Sequence, residues 1–212
     1  MALERPPRLG DLNRDDPARG PSWTEYSVSE LIDHLVGTHH AYLVRELPRL
    51  LELGHKILAS QREALPDLAT VMDRLERLDE ELGPHLATEE EVLFPWCRRP
   101  HDGEPVGDWV SARIRCMRRQ HLDTGTLLDD LRRLTGDFAV PADASPDYRG
   151  FLVGLDGFEA DTRLHIHKEE DALFRRYSNR RNGWPSCAKT KAAPRCPAPD
   201  RTGTRQRTAA LS

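Results

Sequence analysis

The sequence predicts an all-α protein, an up-down four-helix bundle flanked by disordered N- and C-terminal tails. Three observations carry that expectation. Leu, Arg, Glu, Asp and Ala together far outnumber the β-branched residues, a helical composition. Apolar residues recur at alternating steps of four and three in four separate segments, the spacing of one helix face. Stretches rich in Gly and Pro separate those segments. At 212 residues and 38% hydrophobic, the chain has enough apolar material for one core.

The first helix is expected from Ser27 or Ser29, either of which can cap it ahead of Glu30, to about Ala59. Pro48 should bend it. Pro66 opens the second, which runs to about Trp96, with Gly83-Pro84 expected to kink it just before His85. Residues 98–107 read as a loop, and His101 within it as a solvated side chain. The third helix starts at Asp108 and stops at Thr135-Gly136. After a loop punctuated by Pro141 and Pro146, the fourth spans about Ser145 to Tyr177. The domain reading is therefore a flexible segment 1–26, a bundle 27–177, and a basic, proline-containing disordered tail 178–212.

The second helix carries a seam through Val71, Leu75, Leu78, Leu82, His85, Glu89, Val92 and Trp96. The fourth repeats it through Phe151, Leu155, Phe158, Thr162, His165, Glu169 and Ala172. Both seams include the same ten-residue pattern, H-x-x-x-E-E-x-x-L-F, starting at His85 and at His165. A spacing of four stacks each histidine over the first glutamate, so each copy aims one imidazole and one carboxylate at a common point. The second glutamates, Glu90 and Glu170, turn off the seam and are expected to face solvent. In the third helix Val110, Ile114, Met117, His121, Thr124, Leu128 and Leu131 form the most regular stripe of all. The first helix offers two competing seams, one through His40 and one through His39, and periodicity does not choose between them.

An unpaired buried charge costs several kcal/mol, against roughly 5–15 kcal/mol of net stability for a domain. Histidines and glutamates gathered in one core must satisfy each other or bind something. A metal does this directly, since neutral imidazole and ionised carboxylate ligate borderline cations. Among the other histidines, His34 can hydrogen-bond a ligand carboxylate or be a satisfied core residue, and His39 flanks the cavity. His55 is a surface residue too far along the first helix to ligate, and His167 points away.

The net charge is −4, divided as −11 up to residue 177 and +7 after it. No aromatic interleaving beyond Trp184 supports nucleic-acid readout there, and the tail is the only candidate for such a partner. No apolar run approaches the roughly 20 residues of a membrane span. The charged, proline-rich start of the chain does not read as a secretory signal. A cytoplasmic location is expected. Cys97, Cys116, Cys187 and Cys196 show no C-x-x-C pairing and read as reduced, structural or incidental thiols.

These motifs resemble the hemerythrin-like, HHE cation-binding domains, and within them the di-iron proteins that repair iron-sulfur clusters. The resemblance spans roughly Ser29 to Tyr177. It selects His40 over His39, because the family's first ligand histidine stands eight residues before the proline of an E-L-P-x-L segment, here Glu46 to Leu50. It places His85 and Glu89 in H-x-x-x-E-E-x-x-L-F-P, complete through Pro95, and His121 in H-x-x-x-G-x-L with Gly125 and Leu127.

The metal set it implies is His40, His85, Glu89, His121, His165 and Glu169. It implies two iron ions in a non-haem centre, oxo- or hydroxo-bridged, with both glutamates bridging. Oxygen-carrying hemerythrins have another histidine at the position of Gly125 and H-x-x-x-x-D on the fourth helix. Here the glycine leaves space and open coordination beside the metals, so O2 or NO is the expected small-molecule ligand. Damaged iron-sulfur proteins are the expected partners, in cluster repair or the response to nitrosative and oxidative stress. The alternative is an O2, NO or redox sensor or scavenger without repair activity. No catalytic residue is assigned. Residues 1–26 hold no cysteine, so the N-terminal Cys-Cys pair of full-length repair proteins is not found there. Gln120 stands where the family often has glutamate.

Overall fold

The computed structural model describes residues 22–61, 63–99 and 107–178. The chain outside these spans, including His101 and the basic tail, lies outside the described residues. Four helical rods make up the fold. Rod A consists of α1 (Val28–His34), a π-helical turn π1 (Leu35–His40) and α2 (Ala41–Gln61). Rod B is α3 (Leu68–Thr88), π2 (Glu89–Leu93) and α4 (Phe94–Cys97); rod C is α5 (Asp108–Leu134). Rod D is α6 (Pro146–Lys168), π3 (Glu169–Phe174) and α7 (Arg175–Ser178).

Local chemistry sets the rod ends. Ser27 and Glu30 form a capping box: the Glu30 amide donates to Ser27 Oγ at 3.2 Å, and the Ser27 amide donates to Glu30 Oε2 at 2.9 Å, satisfying two otherwise orphaned donors. Ser145 caps rod D, accepting from the Tyr148 amide at 3.3 Å, with Pro146 in the first turn. Rod C breaks at Gly136, whose φ of +58° opens a left-handed turn through Asp137 and Phe138.

The buried side chains fall into two apolar clusters. One gathers Leu47 of rod A, Leu75 of B, Leu128 of C and Phe158 of D. The other gathers Leu31, Phe94, Met117 and Phe174 from the same four rods. Rods A and C run from the second cluster to the first, and rods B and D run the other way. That alternation is the up-down topology of a four-helix bundle. The repeated motif on rods B and D, His40 on rod A and His121 on rod C all fall where the two clusters meet.

The π turns lie where those residues are. A π turn fits one extra residue into the helix, so the buried face after it shifts by one position. Rod B shows the consequence. The regular spacing predicted Val92 and Trp96 on the seam after Glu89, whereas the buried residues are Leu93 and Cys97, and Val92 is 36% exposed. In rod A, Leu31 and Leu35 feed one register and Leu43, Leu47 and Leu50 the next, with π1 absorbing the difference. Both competing seams of that segment are therefore partly real, and His39 and His40 are both buried. Of the described cysteines, Cys97 is free and buried. Cys116 is in a disulfide, which corrects the reading of it as a reduced thiol.

The shifted seam has a measurable consequence. Leu93→Ala is expected to cost about 2–5 kcal/mol of unfolding free energy and Val92→Ala no more than about 0.5 kcal/mol, read by urea unfolding. The reverse order would show that rod B keeps an unbroken α register.

Candidate metal centre

The six residues singled out from the sequence converge at mid-bundle. His40 comes from the end of π1, His85 from α3, His121 from α5 and His165 from α6, while Glu89 and Glu169 open π2 and π3. All six are buried, and both glutamates are 0% exposed. Glu89 sets Oε2 3.6 Å from His40 Nε2 and Oε1 3.3 Å from His85 Nε2. Glu169 sets Oε1 3.0 Å from His165 Nε2 and Oε2 3.1 Å from His121 Nε2. Two groups result, His40-Glu89-His165-Glu169 and His85-Glu89-His121-Glu169, in each of which the ligating atoms lie within 4.8 Å of one another. Each carboxylate thus reaches both groups, with one oxygen against each histidine pair.

The donor set fits a pair of cations. All four carboxylate oxygens and His121 Nε2 are buried without a hydrogen-bond partner, and such atoms are costly to bury unpaired. His40 Nε2 and His165 Nε2 face each other at 3.1 Å, so two bare lone pairs meet unless a proton or a metal lies between them. Borderline divalent cations match this mixture of imidazole nitrogen and carboxylate oxygen.

Electrostatics in the metal-free state are those of a proton trap. Burial is the largest single influence on His40, His85 and His121 and opposes their charge. The carboxylates outweigh it: Glu169, Glu89 and Glu90 raise His40, Glu89 raises His85, and Glu169 with Glu170 lifts His121 to about 10. Burial likewise pushes Glu169 up, but His165, His121 and His40 hold it well below the usual carboxylate range. Cys97 is no thiolate ligand, since burial pushes its thiol up to about 12.

Outward-facing nitrogens reveal residues that periodicity missed. His40 Nδ1 meets Glu90 Oε1 at 2.7 Å, His121 Nδ1 meets Glu170 Oε1 at 3.0 Å, and His85 Nδ1 meets Gln120 Oε1 at 3.0 Å. These acceptors hold the rings with Nε2 pointing inward. Glu170 is only 27% exposed and also accepts from Arg118 Nε at 2.7 Å. Glu90 is exposed, as expected of the second glutamate, whereas Glu170 is partly buried, and both nonetheless hold a histidine ring. The signal was present in the doubled glutamate of both motif copies. His39 is as buried as His40 but turns to Asp161 and Lys168. His55 pairs with Glu76 and His167 with Asp171, both at exposed positions.

The sequence model of the hemerythrin HHE cation binding domain matches residues 31–177, the span that supplies all six converging side chains. The chain belongs to that hemerythrin family. A probable iron-sulfur cluster repair protein of Haemophilus influenzae is 31% identical over 177 residues, 81% of this chain and 75% of the relative. The iron-sulfur cluster repair protein YtfE of Dickeya chrysanthemi is 28% identical over 169 residues, 80% of this chain and 74% of its own. That of Yersinia pestis is 27% identical over 161 residues, covering 76% and 71%. Among the described residues of this hemerythrin-like bundle, no helix is long and apolar enough to cross a membrane.

Metal ions compete with protons for these side chains, so binding should depend on pH. The raised His121 value stabilises the metal-free fold fully below about 6.5, and this contribution is lost as pH rises through about 10. The melting temperature of metal-free protein should fall across that window. Metal-loaded protein should show a shallower slope, and metal addition near pH 7 should release protons into a weakly buffered dye solution. A flat metal-free profile with no proton release would contradict the protonated cluster.

Proposed function

We propose that this chain is a non-haem di-iron protein, with His40 and His165 on one iron, His85 and His121 on the other, and Glu89 and Glu169 shared between them. The observation that carries this is the division of the four buried, unpartnered carboxylate oxygens between two histidine pairs. Four imidazoles and two carboxylates, divided into two groups of ligating atoms, would give each of two cations its own set of donors. When bound, iron supplies one-electron redox chemistry and a position for a small ligand such as O2 or NO.

The protein's own part is to hold, orient and shield. Glu90, Gln120 and Glu170 fix three of the rings. Phe94 stacks on His40 with centroids 5.6 Å apart, and Phe174 on His121 at 5.8 Å, closing the second apolar cluster over the site. Space for an exogenous ligand is favoured at Gly125, one turn after His121, where a Cβ would meet nothing within 4 Å.

The names of the relatives support cluster repair as the role, with a damaged iron-sulfur protein as the partner; the cytoplasm and nitrosative or oxidative stress are the setting proposed for it. The test is anaerobic reconstitution with ferrous iron, metal analysis, an absorption spectrum before and after NO, and incubation with a cluster enzyme inactivated by NO. Two irons per chain, an NO-dependent spectral change and recovered enzyme activity are expected, with His121→Ala losing iron and recovery together. Less than one iron per chain would refute the di-iron reading. Full iron and NO binding without recovery would make the protein a sensor or scavenger.

A further inference from the structure

Three of the four ligand histidines have an acceptor on their outer nitrogen, and the fourth does not. His165 is 1% exposed, its Nε2 faces Glu169, and its Nδ1 is buried without a hydrogen-bond partner. One turn earlier on the same rod, Asp161 has a matching orphan: Oδ1 accepts from His39 Nδ1 at 2.9 Å, while Oδ2 is buried and unpartnered. Side chains on a helix lean toward its N-terminus, so His165 leans over the turn that carries Asp161. A metal on Nε2 leaves the proton on Nδ1, where a buried N–H needs an acceptor.

Asp161 is itself fixed from behind. Because His39 gives its Nδ1 proton to Asp161, its Nε2 is a bare lone pair, and Lys168 Nζ donates to it at 2.8 Å. Lys168 Nζ also donates to His34 Nε2 at 2.8 Å and lies 3.8 Å from the centroid of the Trp23 ring. Burial pushes the His34 imidazole down to about 4, which keeps it a neutral acceptor for Lys168. Lys168, 3% exposed, has no carboxylate in direct contact among the described residues. Its charge is matched to Asp161 through the His39 ring, and that ring stacks on His165 with centroids 5.8 Å apart.

We infer that Asp161 is the positioning residue for His165, its Oδ2 accepting the Nδ1–H directly or through one water, and that Lys168 holds Asp161 in place through His39. The inference rests on the reading of His165 as a metal ligand. It completes the outer support of the set: an acceptor each for His40, His85 and His121, and for His165 an aspartate anchored by a buried lysine.

The test uses full-length protein loaded with cobalt(II), whose imidazole N–H protons give separate paramagnetically shifted resonances, one for each ligand histidine. In Asp161→Ala, one such resonance should disappear into exchange with solvent. One metal should pass to a chelator about 10–100-fold faster, with helical circular dichroism retained. Lys168→Met should shift both readouts the same way by less. Asp161→Asn, of equal size, replaces the alanine variant if that fails to fold, and the same two readouts decide. Wild-type release and a full set of resonances in these variants, while His165→Ala loses a metal, would overturn the support role and leave the ligand reading standing. If His165→Ala holds both metals as wild type does, the ligand reading falls and the inference falls with it.

Discussion

Glu89 and Glu169, two carboxylates with no solvent exposure at the centre of the bundle, dictate what must surround them. Moving an ionised carboxylate out of water costs several kcal/mol even after the protein relaxes, so the surrounding structure must return that energy at one point. Four histidines, one from each rod, do so at mid-bundle, and their own protons or metals complete the balance. The apolar core is consequently split. Leucine-rich layers close over the site from one side, and Phe94, Phe174 and Met117 close over it from the other. The same layers that drive folding keep water from the carboxylates.

Rigidity at the centre comes from a ring of polar contacts around it. Each outer acceptor tethers a histidine from another rod: Glu90 of B to His40 of A, Gln120 of C to His85 of B, and Glu170 of D to His121 of C. The His/Glu cluster therefore stitches neighbouring rods together in sequence. Loss of a single outer residue would loosen a helix contact as well as a ring.

Much of this was legible in the sequence because burial and periodicity report the same fact. His121 sits on an unbroken stripe in a helix without a π turn, and it was found by counting alone. His85, Glu89, His165 and Glu169 were found because their motif occurs twice. His40 was not separable from His39 by spacing, for the physical reason that both are buried and point to different partners. The residues after Glu89 were misassigned because steps of three and four cannot represent a turn that holds an additional residue. Lys168 escaped notice since a lysine on a helix is ordinarily solvated. Yet Asp161, His165, Lys168 and Ala172 are spaced four, three and four apart, a second face that the polar residues disguised.

The three π turns also bear on how such a centre could be rebuilt. An idealised bundle of straight helices, with its hydrophobic positions set by a fixed repeat, would present Leu35, Leu93 or Phe174 a full residue out of phase with the layer beyond the His/Glu cluster. Grafting the six converging residues onto such a scaffold would join one correctly packed half to one incorrectly packed half. A transplant has to carry the three extra residues along with those six, which makes the lengthened turn part of the candidate site and ties their positions to the total count of residues in each rod.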